Sequence, residues 1–586
     1  MAVLVQCIFL VIISLLILNQ RLVVHGAICS ASCCVEKRDP YNQSSEVIEV
    51  NCQSQGLEMF PNLTEYEGLL IQRLDLRNNS FSKFTVTRDV FDGARFYELD
   101  LDNNQFLDIE YNAFTHLKEL KKLSLNNCGL ESADLDFIRN IPTLSVLSLR
   151  SNRIKELEDQ SVFAGSPLKK LDLSHNSDLR IKVKVLAPTL TYLALDYSDI
   201  EISNLTFLYN LGNLKTLSLD GAHSTQYNSI QDGAFEKLKL SALESLSLSS
   251  SGLKVIFREA FDGLNNLKYL DLSRNELSNL IFEVTGRIPR LQVLKLSYNT
   301  DIQSIMKITN RNLSELHMEG TGVNLISYDA FRVVGDSLVN LNLRSCQLPP
   351  EGMFLVDAFR SLRSLRKLDL SYNYLREIFN ETFDELNELE ELDLSGNILT
   401  FSKTDFSGLE ESLKSLKLQN MSLQVLPLAL LSTLENLQEL DASFNNFTNI
   451  TKRFFEGISV QTLNLTSCNI FEIHEDSFKQ FNRTNVILDG NNITDVEFLS
   501  VLNRNTFRTL TMRGNNINCS VLNHEVHLVV FEKLEGYCSI GNQSEQLGKY
   551  FSEKLNMSWT NSAGKKGWNQ IVFLIISIVT IGLSQL

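Results

Sequence analysis

A hydrophobic pattern with a period near 24 residues runs through most of the chain. Each copy places apolar residues as L-x-x-L-x-L-x-x-N-x-L, first at Ile71, Leu74, Leu76, Asn79 and Phe81. The position of Asn79 can be followed through 19 copies, and 10 of the 18 spacings between them equal 24 residues. A pattern held in register over this length predicts one array of repeated units, not several unrelated domains.

Each copy predicts a short strand followed by a turn. The L-x-L alternation is typical of a strand whose leucines point inward and whose intervening residues lie on a concave face. Asn at the turn is expected to bond buried backbone groups. Eleven copies have Asn there, and three have Cys128, Cys346 and Cys468 instead. We expect these three cysteines to be small buried substitutes, not disulfide partners.

The opposite side of each copy carries phenylalanine after a small residue, as at Ala113-Phe114 and Ala234-Phe235. Phe383 and Phe478 have the same phase in later copies. Because no single repeat can bury its apolar faces alone, we expect these rings to stack into one continuous core on the convex side.

The remaining cysteines flank the array. Cys29, Cys33, Cys34 and Cys52 precede the first copy, and Cys519 and Cys538 follow the last. A solenoid exposes apolar surface at each end, so these cysteines predict caps that are stapled by disulfides. Six cysteines permit 15 pairings.

Both ends of the chain carry apolar segments. Residues 3–18 followed by Val24-His25-Gly26 are typical of a signal peptide that is cleaved after Gly26, and an uncleaved anchor is the alternative. Near the other end, Ile571 to Leu583 is uncharged but spans only roughly 20 Å as a helix, against about 30 Å of hydrocarbon. With small residues and a polar spacer before it, this tail predicts a glycosylphosphatidylinositol (GPI) signal, with Asn561 as the preferred attachment residue and Ser562 next. A short membrane span is the alternative.

The chain thus resembles the extracellular leucine-rich repeat domains of Toll and Toll-like receptors. With its tail it is also similar to GPI-anchored insect adhesion proteins of the chaoptin and connectin type. The resemblance implies an α/β solenoid, a leucine-rich repeat horseshoe of about 19 repeats with a concave parallel β-sheet and disulfide-stapled caps. It also implies the pairings Cys29–Cys34, Cys33–Cys52 and Cys519–Cys538.

The repeats, the flanking cysteines and the two apolar ends together predict the following organisation of the chain. Residues 1–26 form the signal peptide, 27–70 the N-terminal cap, 71–518 the solenoid, 519–560 the C-terminal cap and stalk, and 561–586 the GPI signal. The mature protein is expected on the outer face of the plasma membrane, with secretion as the alternative. No intracellular signalling domain follows the array, so we expect no signalling by this chain alone.

Composition and charge narrow the function. The chain is 44% hydrophobic and 21% charged, as in folded proteins, and its net charge of −16 argues against nucleic-acid binding. His524-Glu525-Val526-His527 lacks the i, i+4 spacing of a zinc protease, and we expect no enzyme activity, cofactor or metal. Aspartates of the strands form a row that we interpret as a solvated face, with cation binding as the alternative; these are Asp75, Asp100, Asp172, Asp271, Asp369, Asp393 and Asp441.

Glycosylation sequons are numerous and unevenly spread. Two lie between residues 79 and 379, whereas ten lie between 380 and 556. Asn464 stands between two strand leucines, so its glycan is expected to project from the concave face. The fifteen sequons are at Asn42, Asn62, Asn78, Asn204, Asn312, Asn380, Asn420, Asn446, Asn449, Asn464, Asn482, Asn492, Asn518, Asn542 and Asn556.

Because bulky sugar obstructs a protein partner, we expect binding on the repeats between about 80 and 379. The long copy from Ala222 to Ser251 is expected either to add a loop near that surface or to accommodate a change of curvature. The candidate partner-binding residues on the concave side are Arg150, Lys170, Tyr192, Asp196, Tyr269, Lys295, Glu315, His317 and Arg344.

The sequence therefore predicts a lipid-anchored extracellular protein that binds another protein or a co-receptor through its concave or lateral face, in cell-surface recognition or adhesion. A homodimer is compatible with that role. The alternatives are an innate-immune recognition protein or co-receptor and, third, a regulator of an extracellular enzyme.

Overall fold

The computed structural model describes residues 23–24, 27–29, 33–37, 48–61, 63, 70–158, 162–163, 165–182, 185–224, 228–502, 506–518, 533–540, 543–547 and 549–550. Several residues named above lie outside these ranges. They are Asn42, Asn62, Cys519, His524 to His527, Asn542 and Asn556, together with the predicted signal peptide apart from Val23–Val24 and the predicted GPI signal with Asn561 and Ser562.

Short strands recur once or twice in every repeat. The first twenty are β1 (Val23–Val24), β2 (Ala27–Cys29), β3 (Cys34–Lys37), β4 (Ile48–Asn51), β5 (Leu70–Asp75), β6 (Thr85–Val86), β7 (Arg95–Asp100), β8 (Asp108–Ile109), β9 (Lys122–Ser124), β10 (Val146–Ser148), β11 (Glu156–Leu157), β12 (Lys170–Asp172), β13 (Arg180–Ile181), β14 (Tyr192–Ala194), β15 (Thr216–Ser218), β16 (Ser229–Ile230), β17 (Ser245–Ser247), β18 (Val255–Ile256), β19 (Tyr269–Asp271) and β20 (Val293–Lys295). The others are β21 (Ser304–Ile305), β22 (Glu315–His317), β23 (Leu325–Ile326), β24 (Asn340–Asn342), β25 (Lys367–Asp369), β26 (Glu391–Asp393), β27 (Ser415–Lys417), β28 (Glu439–Asp441), β29 (Asn449–Ile450), β30 (Thr462–Asn464), β31 (Glu472–Ile473), β32 (Thr484–Ile487), β33 (Phe507–Asn518), β34 (Lys533–Ile540) and β35 (Gln543–Gln546).

Helices are few and short in the described residues. The α-helices are α1 (Ile281–Thr285), α2 (Met353–Phe359) and α3 (Leu428–Leu431). The 3₁₀-helices are Arg88–Phe91, Ser132–Asn140, Ile202–Asn204, Thr206–Leu208, Glu236–Leu238 and Glu497–Val501.

The chain divides into two compact units. Unit 1 comprises Met1–Gln303 and Ile308–Thr321, and unit 2 comprises Ser304–Lys307 and Gly322–Leu586. In unit 1 a parallel sheet runs in the order β4-β5-β7-β9-β10-β12-β14-β15-β17-β19-β20-β22. In unit 2 the order β24-β25-β26-β27-β28-β30-β32-β33-β34 is also parallel. This confirms the predicted leucine-rich repeat solenoid.

Smaller parallel pairs lie outside these two sheets. Unit 1 contains β6–β8, β11–β13 and β16–β18, and unit 2 contains β21–β23 and β29–β31. Each of these strands has two residues, so the second face of the solenoid consists mainly of turns.

Both predicted caps contribute strands. Each of the strands β1 to β3 pairs antiparallel with the next strand along the chain. A disulfide joins Cys33 to Cys52, which is the pairing that the resemblance implies. Cys29 and Cys34 are opposite each other across β2 and β3. Cys538 is disulfide-bonded as well. The parallel sheets extend one strand beyond the predicted array at each end, because β4 pairs with β5 and β34 with β33. These added strands cover edges that would otherwise be unpaired.

The repeat leucines form the core, and Leu147, Leu217, Leu246 and Leu270 are at most 1% exposed. A buried leucine contributes about 1.5–3 kcal/mol by transfer from water. The phenylalanines are buried too, but the expected continuous stack is wrong. The rings contact one another in separate runs among the described residues, which include Phe91–Phe114–Phe137, Phe235–Phe261, Phe331–Phe359, Phe383–Phe406 and Phe455–Phe478.

Aliphatic side chains interrupt the phenylalanine runs. In unit 1 the corresponding places hold Leu186 and Leu208, and in unit 2 one holds Leu430, all of them buried. Leucine fills the same core position without a ring, so the convex core requires a large apolar side chain and not a stack of rings.

Candidate recognition surface

The asparagines at the turns form a ladder that links successive repeats. The Nδ2 of Asn152 donates to the carbonyl oxygens of Leu125 and Leu149 at 2.8 and 2.9 Å. Its Oδ1 accepts from the backbone N–H groups of Cys128 and Leu130, both at 3.0 Å. One buried amide thus satisfies four backbone groups of the turn, as predicted, so these asparagines are structural and unavailable to a ligand.

The three cysteines in the ladder are buried and are not disulfide-bonded, which confirms the prediction for them. The Sγ of Cys128 lies 3.3 Å from the carbonyl oxygen of Leu101, and that of Cys468 lies 3.2 Å from that of Ala442. Burial raises the pKa of the Cys128 thiol to about 12 and that of Cys468 to about 11. These thiols are therefore weak donors that replace the asparagine amide, and they are inert at neutral pH.

The row of strand aspartates is not simply a solvated face. The Oδ1 of Asp172 accepts from the backbone N–H of Ser174 at 2.9 Å, two residues further along the chain. The same contact recurs at Asp271, Asp369, Asp393 and Asp441. Each carboxylate therefore holds the turn that ends its strand, as short polar side chains commonly do. Among the described residues no group of side chains has a composition suited to a metal ion.

Eight of the nine candidate partner-binding residues lie in unit 1. Lys170, Tyr192, Tyr269 and Glu315 occupy the first exposed position of their strands. Lys295 and His317 occupy the last position, and Arg150 and Asp196 follow two residues after a strand. All are exposed or half-buried. The sequence pattern therefore places these side chains on one face of the parallel sheet of unit 1.

Several of these residues have defined partners. A guanidinium nitrogen of Arg150 lies 2.9 Å from Nε2 of His175, and burial raises the pKa of Tyr192. Further along the sheet, the Oη of Tyr269 donates to Asp271 at 3.2 Å, and Lys295 Nζ lies 5.2 Å from the ring centre of Tyr269.

Other candidates pair differently. His317 Nε2 lies 3.2 Å from a carboxylate oxygen of Glu315. Arg344 belongs to unit 2, where it donates to Ser371 at 2.8 Å and its guanidinium lies 4.2 Å from the ring centre of Tyr372. The candidates thus do not form one cluster, and in unit 1 they fall into two groups along the sheet, one from β10 to β14 and one from β19 to β22.

A second row of side chains, one residue before the asparagine position of the ladder, was not predicted from the sequence. Tyr197 and Tyr298 have a left-handed backbone and are 50% and 41% exposed. Their rings lie 2.4 and 2.6 Å from where a Cβ would stand on Gly221 and Gly320 of the following repeats. Each glycine therefore provides the space for a tyrosine. The spacing of Tyr197 and Gly221, 24 residues, was the available signal.

The long repeat from Ala222 to Ser251 contributes to the smaller sheets. Ser229 and Ile230 pair with Val255 and Ile256, and Ile230 is buried. His223 forms an isolated parallel bridge to Glu201. Residues 225–227 lie outside the described ranges. The described parts of this insertion are therefore on the turn side and not on the strands β15 and β17 that flank it.

The sequon at Asn464 lies on the strand face of unit 2. Its Nδ2 donates to Asp441 at 2.9 Å, and its Oδ1 accepts from the backbone N–H of Thr466 at 3.0 Å. Asn420 is exposed and has a left-handed backbone at a turn. In unit 1, Asn204 and Asn312 lie outside the strands of the parallel sheet.

No helix within the described ranges has the length and apolarity needed to traverse a lipid bilayer.

Comparison with known proteins places these features in a family. A leucine-rich repeat model matches residues 223–277, 241–300 and 355–399, and a model of the BspA type of leucine-rich repeat region matches residues 84–210. Tsukushi from Rattus norvegicus is 30% identical over 283 residues, which cover 46% of this chain and 76% of that protein.

Two longer relatives carry the receptor likeness. CD180 antigen from Mus musculus is 26% identical over 562 residues, covering 81% of this chain and 83% of that protein. Toll-like receptor 3 from Boselaphus tragocamelus is 27% identical over 386 residues, covering 63% of this chain. The chain spans only 37% of the length of that receptor.

A solved structure supports the architecture. The TLR13 chain in a crystal structure of a TLR13–ssRNA13 complex superposes with a TM-score of 0.60 at 22% identity, covering 83% of this chain and 74% of that one. At this identity the match speaks for the fold.

Proposed function

Because this chain belongs to the leucine-rich repeat family, we propose that it is an extracellular recognition protein that binds another protein through the strand face of unit 1. The observation that carries this proposal is the mixture of tyrosines and charged side chains on that face. Tyr and Arg dominate the energetics of protein interfaces, and Tyr192, Tyr269 and Arg150 are of these types.

The similarity to CD180 and Toll-like receptor 3 supports recognition at a cell surface, in immunity or in adhesion. We place adhesion first, with a lipid anchor at Asn561 or Ser562, and an innate-immune recognition protein or co-receptor second. A homodimer is compatible with either role. The solved TLR13 complex contains RNA, but the net charge of −16 and the carboxylates on the strand face favour a protein partner.

The test is a binding screen. The purified full chain, tetramerised through a tag placed directly after the predicted signal peptide, is applied to cells that each display one extracellular protein, and cells displaying this chain itself are included. Binding to a displayed protein that Lys295→Glu abolishes supports the proposal. Binding that responds only to substitutions beyond residue 380, or only to RNA, contradicts it.

Lipid anchorage has its own test. Cells that express the full chain are treated with a phosphatidylinositol-specific phospholipase C. Release of the protein into the medium supports the GPI proposal, because the enzyme cleaves that anchor alone. Retention with a detectable C-terminal tag, or secretion without enzyme, contradicts it.

A further inference from the structure

The strand face of unit 1 is the surface formed by the exposed side chains of its parallel sheet, and in the middle of this surface the side chains are short. The two central strands β15 and β17 expose only hydroxyl side chains, which are Thr216, Ser218, Ser245 and Ser247. Thr216 lies opposite Ser245, and Ser218 lies opposite Ser247, in a regular parallel register. These short side chains leave the backbone of the sheet close to the surface over two adjacent repeats.

A tyrosine stands at each side of this low area. Tyr192 of β14 lies beside Thr216, and Tyr269 of β19 lies beside Ser245. Three strand steps separate the two tyrosines, which corresponds to about 14 Å at the usual spacing between strands. The bond of Tyr269 to Asp271 and its contact with Lys295 fix that ring in place. The result is a depression about two repeats wide between two aromatic walls.

The turn-side border of the depression is acidic. Asp196 accepts from the backbone N–H of Asp220 at 3.0 Å, and Asp220 accepts from Ser249 N–H at 2.9 Å. Burial raises the pKa of Asp220, and the carboxylates of Asp196 and Asp271 raise it further. The hydrogen bonds from Ser247 and Ser249 lower this pKa but do not offset the increase. Asp196 and Asp271 thus add to the negative charge at Asp220.

No cation of the described residues forms an ion pair with Asp196 or Asp220. On the other border, Lys215 and Lys268, which directly precede β15 and β19, both pair with Glu244, at 3.3 and 2.7 Å. The charge of the depression is thus left uncompensated within the part of the chain that the structure describes.

We propose that this depression, defined by Tyr192, Thr216, Ser245, Tyr269, Asp196 and Asp220, receives a projecting loop of the protein partner that carries Lys or Arg. The inference rests on the proposed function and specifies the chemistry of the partner. A charge-assisted hydrogen bond from the loop meets the carboxylates. The tyrosine walls contact the aliphatic stem or stack against a guanidinium.

The shape and the charge exclude other occupants. A flat protein surface would rest on the two tyrosines and leave the hydroxyl floor untouched, so a projection is required. A phosphate backbone would meet carboxylates, which repel it. A basic loop satisfies both features at once.

The probe is a phage-displayed library of disulfide-closed loops that is selected on the purified full chain. We expect selected loops to be enriched in Lys and Arg. Binding of a selected loop should fall at least about tenfold when Asp196→Asn and Asp220→Asn are combined, the loss expected for a charge-assisted contact. Asparagine keeps an oxygen that accepts the backbone N–H bonds, so the fold is preserved. Filling the floor with Ser245→Tyr should abolish binding.

The matched controls lie in the same unit but outside the sheet. Asp301 and Ser241 are exposed, and Asp301→Asn and Ser241→Tyr should leave the affinity unchanged. Selected loops without basic residues, or loops that bind the Asp196→Asn and Asp220→Asn double variant as well as the parent chain, would overturn the inference. The proposed function survives that result if Lys295→Glu still abolishes binding of the displayed protein partner, so the two failures are distinguishable.

Discussion

The tripeptide Lys-Leu-Asp forms β12 in unit 1 and β25 in unit 2, with different surroundings. In both, the leucine is buried, and the aspartate accepts from the backbone N–H two residues later at 2.9 Å. Lys367 then pairs with Glu391 of the adjacent strand at 2.7 Å. Lys170 has Val146 and Tyr192 as its strand neighbours and forms no ion pair among the described residues.

The comparison distinguishes two sets of residues in each repeat. The buried leucines and the turn residues, which we call the frame, are fixed by the fold. The exposed strand positions, which we call the face, determine whether the charged side chains of that surface pair with one another. Unit 2 continues with Lys417 near Asp393 at 3.7 Å and with Asn464 bonded to Asp441. In unit 1, Lys170, Asp196 and Asp220 form no ion pair with any described residue. A face with unmet charges and fewer sequons is better suited to a partner.

The largest effect is expected from a change in the frame. Asn275 donates to Leu248 and Leu272 carbonyls at 2.9 Å and accepts from the N–H groups of Ser251 and Leu253 at 3.0 Å. Asn275→Ala leaves these groups buried without partners, so we expect unit 1 to lose about 3 kcal/mol of stability in urea denaturation.

The matched change on the face is Ser273→Ala, two residues earlier in the same repeat. It should alter stability by no more than about 0.5 kcal/mol, because its hydroxyl supports no turn. Equal effects of the two substitutions would contradict the separation of frame and face.

Charge reversal at the two equivalent lysines, Lys170 and Lys367, tests whether the two units differ in partner binding. Lys170→Glu should weaken partner binding about tenfold or more without a loss of stability, because this lysine forms no ion pair with the described residues around it. Lys367→Glu should leave binding unchanged and reduce stability slightly, since it breaks an exposed pair and places two glutamates on adjacent strands. Surface plasmon resonance and thermal melting report the two quantities. The reverse assignment, with binding lost only in Lys367→Glu, would place recognition on unit 2.

The thiols of the ladder supply a pH-dependent prediction. Burial raises the pKa of Cys128 from 9.0 to about 12, so the folded state keeps the neutral thiol. Its stabilising contribution is complete below pH 9 and is lost as the pH rises from 9 towards 12. Iodoacetamide at pH 8 should therefore leave Cys128, Cys346 and Cys468 unlabelled in the native protein and label them after unfolding. Rapid native labelling of Cys128, read by mass spectrometry, would disprove its burial.

The smallest effect is expected at Asp476 in unit 2. Hydrogen bonds from Lys452 and Lys479 lower the pKa of this carboxyl from 3.8 to about 2. A lowered pKa stabilises the fold above the unfolded value, and the contribution is lost as the pH falls from about 4 to 2. Asp476→Asn should match the parent chain at pH 2 and be slightly less stable at pH 5. A variant as stable as the parent at pH 5 would show that this exposed cluster contributes nothing.

The periodic part of the structure follows from the sequence. The leucines, the ladder of Asn152 and its relatives, and the buried Cys128 could be predicted because each depends on a position within one repeat. The interrupted phenylalanine core could not, since Leu186 serves as well as a ring. The hydrogen bond of Asp172 to its turn was not predicted either, because the sequence shows an aspartate at the end of the strand but not whether its carboxylate contacts solvent or the backbone.

The candidate surface was only partly predictable. Tyr192 and Tyr269 could be assigned to exposed strand positions, but the depression between them is made by what is small. Thr216 and Ser245 carry no signal alone, and their effect depends on neighbours 24 or more residues away. The tyrosine resting on Gly221 is likewise a relation between two repeats.

The most direct test of the account is a glycan placed on the strand face of unit 1. Ser245→Asn creates the sequon Asn-Leu-Ser with Leu246 and Ser247, whereas Ser245→Gln adds a similar side chain without a sequon. With occupancy established by a mass shift on glycosidase treatment, we expect Ser245→Asn to abolish binding of the partner. Ser245→Gln should weaken binding far less, because a glutamine side chain obstructs the floor much less than a glycan or a tyrosine ring does. Unchanged affinity in the fully glycosylated Ser245→Asn variant would contradict recognition through this face.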